Sequence, residues 1–191
     1  DAVSEVPRYY VCNAYGVCGI YSAPGTAVKE AYDTSGIVTN DRGVTVWLKG
    51  NRVSRNQIMA IKEESVTEQK NSLAVCLDNI LRHAGITRNT EYDLAQGKTA
   101  TTILSENMTG VQVLDLSGCT LDAVLYYVNQ DIPVLAILED GEAVLVTGFN
   151  EFNVVIMEPA TGKLYKKGMN DATAWFAENG NHFITYMRTE N

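Results

Sequence analysis

Residues 139–149 read EDGEAVLVTGF, and residues 154–162 read VVIMEPATG. Each is a run rich in Val, Ile and Leu bounded by turn residues, which predicts two buried strands of one sheet. EDG supplies the turn before the first strand, and NEFN, residues 150–153, the turn between the two. The acids are the unusual letters. Glu142 stands just past the Asp140–Gly141 turn, and Glu158 stands sixteen residues later, before Pro159. A carboxylate at the mouth of a buried strand is costly unless it meets water, a proton or a cation.

Working outward, IPVLAILE precedes this pair and KLYKK follows it, so the strands succeed one another through short turns, as in an antiparallel sheet. Upstream the period changes. In NSLAVCLDNILRHAG, residues 71–85, the apolar positions Leu73, Cys76, Leu77, Ile80, Leu81 and Ala84 recur at spacings of three and four, and Gly85 marks the stop. This predicts a buried helix capped by Ser72 or Asn71. GKTATTILSENMTG and TLDAVLYYVNQ predict two more helices, and DATAWFAENG with HFITYMR a closing helix and strand. Helices followed by an antiparallel sheet make an α+β arrangement.

The first third has a different texture. RYYVCNA, GVCGIYS, GVTVWLKG and NQIMAI are short β-like runs, interrupted by the helical stretch TAVKEAYD. We therefore expect a small β-rich domain with one helix over residues 1–65, and an α+β domain over 66–191. The apolar-poor segment KEESVTEQK, residues 62–70, lies at the joint. Tyr9, Tyr10, Tyr15 and Tyr21 crowd the start, as a ligand-stacking face or as packing for half-buried strands.

Composition narrows the classes of function. With 46% hydrophobic and 20% charged residues among 191, the chain suits a globular domain with a sizeable core, and no apolar run reaches the ~18 residues of a membrane-spanning helix. A net charge of −8, with Lys163, Lys166 and Lys167 as the densest basic group, argues against nucleic acid as a partner. Four cysteines do not make a disulfide scaffold, but Cys12 and Cys18 can bridge adjacent strands in an oxidising compartment, or stand as free thiols. With two histidines and no close Cys–His spacing, no metal site is expected, and no motif calls for a cofactor.

The order and phrasing of residues 66–191 resemble the papain-fold cysteine peptidases related to the bacterial, bacteriocin-processing double-glycine-leader peptidases. That family opens a helix on Cys-Gly-x-Ala-x-Leu-Ala-Met-Val-Leu and ends it at a Gly, as NSLAVCLDNILRHAG ends at Gly85. After an x-Pro-Val phrase, matched by DIPVLAIL, it reads Gly-His-Ala-Val-x-Val-Thr-Gly-Tyr, where this chain has residues 141–149, GEAVLVTGF. An Asp-Pro dipeptide follows sixteen residues beyond its histidine, at the place of Glu158–Pro159. The resemblance thus puts Ser72 at the nucleophile's position, Glu142 at the histidine's and Glu158 at the aspartate's.

All three chemical groups differ from the family's. A peptidase thiol at a helix N-terminus is acidified by the macrodipole and by a neighbouring imidazole. A serine hydroxyl is a poorer nucleophile, and a glutamate is too weak a base to deprotonate it near neutral pH. Ser72 is therefore expected to cap its helix. The resemblance implies a papain-like, non-catalytic cleft, lined by Ser72, Glu142, Glu158 and Gln69, that holds a peptide or protein segment by strand addition. Two facing carboxylates favour a cationic occupant. The alternatives are an active cysteine peptidase using Cys76 or Cys119 with His182, or a structural extracellular interaction module. His83 shares a helix with Cys76 and cannot form a dyad with it. Cys76 is expected in the core, whereas Cys119, before a helix, is expected to be more exposed. A chain that starts at Asp1 suggests removal of an upstream signal or anchor, and hence an extracytoplasmic location, secreted or membrane-anchored.

Overall fold

The computed structural model describes residues 6–49 and 71–189. The NQIMAI run, the KEESVTEQK joint and Gln69 lie outside the described residues.

The first part forms β1 (Tyr9–Cys12), β2 (Cys18–Tyr21), α1 (Pro24–Thr34), β3 (Ile37–Thr39) and β4 (Thr45–Leu48), with the strands in an antiparallel sheet of order β2-β1-β3-β4. Alternation sorts its two faces. Tyr9, Val11, Val38 and Trp47 turn inward, where Ala27, Val28 and Ala31 of α1 are also buried, while Ile20, Ile37 and Leu48 stay exposed. Cys12 and Cys18 are register partners across the β1–β2 hairpin and are joined by a disulfide. The four tyrosines do not act as one face. Tyr9 is buried, and Tyr15, in the hairpin turn, is fully in solvent.

The second part comprises α2 (Ser72–His83), α3 (Glu91–Ala95), α4 (Ala100–Asn107), β5 (Val111–Asp115), α5 (Leu121–Val128), β6 (Val134–Ile137), β7 (Ala143–Phe149), β8 (Asn153–Glu158), β9 (Lys163–Gly168), α6 (Met169–Glu178) and β10 (His182–Arg188). Its six strands run in the order β5-β10-β6-β7-β8-β9, every described pairing being antiparallel. Helices do not all precede strands as the sequence suggests, since β5 falls between α4 and α5 and reaches the sheet's edge beside β10. All seven positions of β7 are buried, so both faces of this strand are covered, and α2 and α5 both pack on it.

One hydrophobic core runs through both sheets, from Tyr9, Val11 and Trp47 to Leu77, Leu145 and Phe183. Two hydrogen bonds stitch the halves. The Trp47 indole N–H donates to Ala123 O at 2.9 Å, and the Tyr127 hydroxyl donates to Val46 O at 2.8 Å. Both polar tips of these buried rings are thereby satisfied. Trp47→Ala is expected to cost about 3–5 kcal/mol and to lower a single cooperative melting transition. Two transitions in calorimetry, with only one moved by the substitution, would contradict a shared core.

Candidate functional site

The N-terminus of α2 is built by Asn71 rather than by Ser72. Asn71 sits outside helical geometry, with φ −54° and ψ 127°, and its side-chain oxygen accepts from the Leu73 N–H at 2.9 Å and the Ala74 N–H at 3.4 Å. This corrects the expectation that Ser72 caps the helix. As the first helical residue, Ser72 cannot fold back onto the following N–H groups, and its Oγ instead accepts from the Ala143 N–H of β7 at 2.9 Å. At the other end Gly85, with φ +85°, takes the left-handed conformation that closes the helix, and Ile86 N–H returns to Leu81 O at 2.8 Å.

The β6–β7 hairpin fixes the other side of the site. Gly141, with φ +86°, makes the turn; Leu138 N–H donates to Glu142 O at 2.7 Å, and Glu142 N–H donates to Asp140 Oδ1 at 2.9 Å. The described register of β7 with β8 begins at Leu145↔Met157, so Ser72 meets Ala143 just beyond that ladder. The hydroxyl of the helix start thus meets the backbone of the residue after the exposed Glu142.

Glu158 ends β8, exposed, and pairs in register with Lys163 of β9. Continuing the β7–β8 register by one residue sets Glu158 opposite Val144, so Glu142 and Glu158 occupy diagonal positions about 7–8 Å apart in backbone terms. The negative charge of Glu158 contributes, after burial, to the raised pKa of Tyr165. Ser72, Glu142 and Glu158 therefore share one end of the sheet, although Lys163 stands directly beside Glu158.

The thiols and imidazoles do not form a dyad. Cys76 is fully buried in α2, and burial pushes its thiol far above the ordinary range. Cys119 is also buried, contrary to the exposure expected from its place before a helix, because α1 packs over it. Its Sγ donates to Gly25 O at 3.3 Å, and burial above all raises its pKa to about 12. His83 lies at the C-terminal end of α2, its Nε2 3.1 Å from Asp131 O. His182 opens β10 opposite Ile137, whose other partner is Ala143, so it lies two strands, or about 10 Å, from Ala143 in the backbone. Gly118 N–H donates to Asn181 O at 3.0 Å, which brings the chain around Cys119 near His182, but the thiol points the other way, into the core. Among the described residues no group of three or more His, Cys, Asp or Glu side chains is placed to hold a metal ion, and no helix is long and apolar enough to cross a membrane.

With this geometry in view, comparison with known proteins bears on the fold. No protein-family model matches the chain, and no curated protein matches it. Among solved structures, a Bacillus anthracis protein assigned as a C39-like peptidase is similar with a TM-score of 0.58 at 12% sequence identity, the match covering 72% of this chain and all of that one. At that identity the likeness speaks for the fold alone: the chain has a C39-like, papain-type peptidase fold.

Folded protein at pH 7 is expected to resist iodoacetamide at both Cys76 and Cys119, with labelling appearing only on unfolding. Since both thiols have higher pKa values folded than free, their contribution to stability is intact below about pH 9 and fades as the pH rises toward 12. A thiol that reacts quickly at neutral pH in the folded protein, read by mass spectrometry, would contradict this and favour a cysteine enzyme.

Proposed function

We propose that this protein is a peptidase-like binding module: it holds an extended peptide or protein segment at the junction of α2 and the β7–β8 end of the sheet and does not cut it. The observation that carries the proposal is the Ser72 Oγ bond to Ala143 N–H, which sets a serine and Glu142 together at a helix N-terminus on a peptidase fold. The chemistry there is that of a weak nucleophile beside a weak base. With a serine hydroxyl in place of a thiol and no imidazole to take its proton, the usual acyl-transfer route is starved at its first step.

What the site does offer is charge and surface. Glu139, Asp140 and Glu142 are gathered in one exposed hairpin, and Glu158 lies on the diagonal. A lysine or arginine side chain, or a free amino terminus, suits this end of the sheet, and Lys163 limits how much Glu158 adds. The Cys12–Cys18 disulfide supports extending the proposal to an extracytoplasmic location, since such bonds persist where the compartment is oxidising.

Fluorescence anisotropy with lysine-containing, neutral and acidic peptides of equal length tests the reading. The basic peptide is expected to bind most tightly and to remain intact by mass spectrometry. Glu142→Gln is expected to weaken it by roughly three- to tenfold, equivalent to about 0.6–1.4 kcal/mol, whereas the charge-matched Glu30→Gln on α1 leaves it unchanged. Equal affinity for all three peptides, or their cleavage, would overturn the proposal.

A further inference from the structure

A polar cavity, of about 280 Å³, lies at the seam of the two sheets, where the turn after β3 meets the start of β5. Its wall is already internally satisfied. Asn40 Nδ2 donates to Gln112 Oε1 at 3.3 Å, and Gln112 Nε2 donates to the Tyr9 hydroxyl oxygen at 2.7 Å. Asn40 Oδ1 accepts from the Arg42 and Val44 N–H groups at 3.0 and 2.9 Å. Asn40 is itself more than nine-tenths buried, so the amides form a fixed neutral floor.

The charges at the rim are arranged differently. Asp41 is held by neighbours other than the arginine heads, accepting from the Arg8 backbone N–H at 3.1 Å and from the Tyr10 hydroxyl at 3.4 Å. Arg8 and Arg42 both line the cavity, and among the described residues neither guanidinium has a hydrogen-bond or ion-pair partner. Among the described lining residues two cations face one carboxylate, a local positive excess on a chain whose net charge is −8. A planar guanidinium fork matches a carboxylate in two parallel hydrogen bonds. The volume suits a group of amino-acid size rather than a nucleotide or a folded partner.

We propose that this cavity is a second binding site, which takes the carboxylate of a small, amino-acid-sized group between Arg8 and Arg42. It is separate from the α2–β7 site. Val111, in its wall, pairs with Arg188, whereas the Ser72 end of the sheet is level with His182, six residues earlier on β10 and about 20 Å away along the strand. The ligand carboxylate has two sources, a free small acid or the C-terminal residue of a peptide.

Nuclear magnetic resonance titration of the full chain at low salt separates them. The probes are N-acetylglycine, N-acetylglycinamide and an acetylated tetrapeptide ending in a free glycine carboxylate. N-acetylglycine is expected to shift the backbone signals of residues 40–42 and 111–112 saturably, with the amide at least about tenfold weaker, because only the acid receives charge-assisted bonds. A tetrapeptide as good as N-acetylglycine assigns the site to peptide C-termini, and a much weaker one assigns it to free acids; either supports the proposal. Arg8→Gln with Arg42→Gln is expected to abolish the response, and Lys29→Gln with Lys166→Gln, which removes the same charge elsewhere, to leave it. Equal binding of acid and amide, no saturable response to any probe, or loss in the control pair as well would overturn it. Circular dichroism of each variant verifies folding, which is expected to survive because all four side chains are exposed.

Discussion

The bond between Ser72 Oγ and Ala143 N–H joins the start of the first helix of the α+β part to the start of its most buried strand. Both ends of this contact are prepared locally. Asn71 satisfies the free N–H groups of the helix, which releases the serine hydroxyl to reach across, and the Gly141 turn with the Leu138–Glu142 bond holds Ala143 still. Removing the hydroxyl would leave a strand N–H without its partner, a loss of about 1–3 kcal/mol if water cannot replace it. Beside this contact, the Gly141 turn and the Leu138–Glu142 bond set where the Glu142 backbone stands.

Around that anchor the fold obeys its burial pattern. β7 is covered on both faces and β8 is nearly so, which accounts for the continuous Val, Ile and Leu runs in place of an apolar–polar alternation. The first sheet is one-sided instead. Its inner residues join the common core through Trp47 and Tyr127, while its outer face carries the disulfide and exposed Ile20, Ile37 and Leu48. Among the described residues the inward face of the small sheet packs on α1 and continues, through Trp47, into the core of the larger part.

Much of this was legible in the letters. The three-and-four spacing from Leu73 to Leu81 marks α2, and the uninterrupted apolar runs mark β6 to β8. β3 and β5 escaped, since runs of three and five residues carry too little periodicity even between turn residues, and β5 owes its place to pairing with β10, about seventy residues away. The choice between Asn71 and Ser72 as cap was not legible either. Both residues cap well, and only the backbone angles decide between them. Cys119 was expected to be exposed from its place before a helix; its burial comes from α1, a helix far off in sequence. Arg8, Asn40, Asp41, Arg42 and Gln112 come from three separate segments, so no local spacing could have joined them into one cavity.

We propose that the helix start and the strand start form a peptidase-type frame in which the reacting groups have been exchanged. It is tested most directly by putting them back and reading thiol acidity. The pH profile of alkylation should be measured for S72C and for S72C/E142H, with the buried Cys76 and Cys119 as silent internal references. The double variant is expected to react at neutral pH, from a thiolate paired with an imidazolium at a helix N-terminus, and S72C alone to need a higher pH. If the added histidine leaves the profile unchanged, residues 72 and 142 do not face each other as a nucleophile and base would, and the frame is not that of a peptidase site.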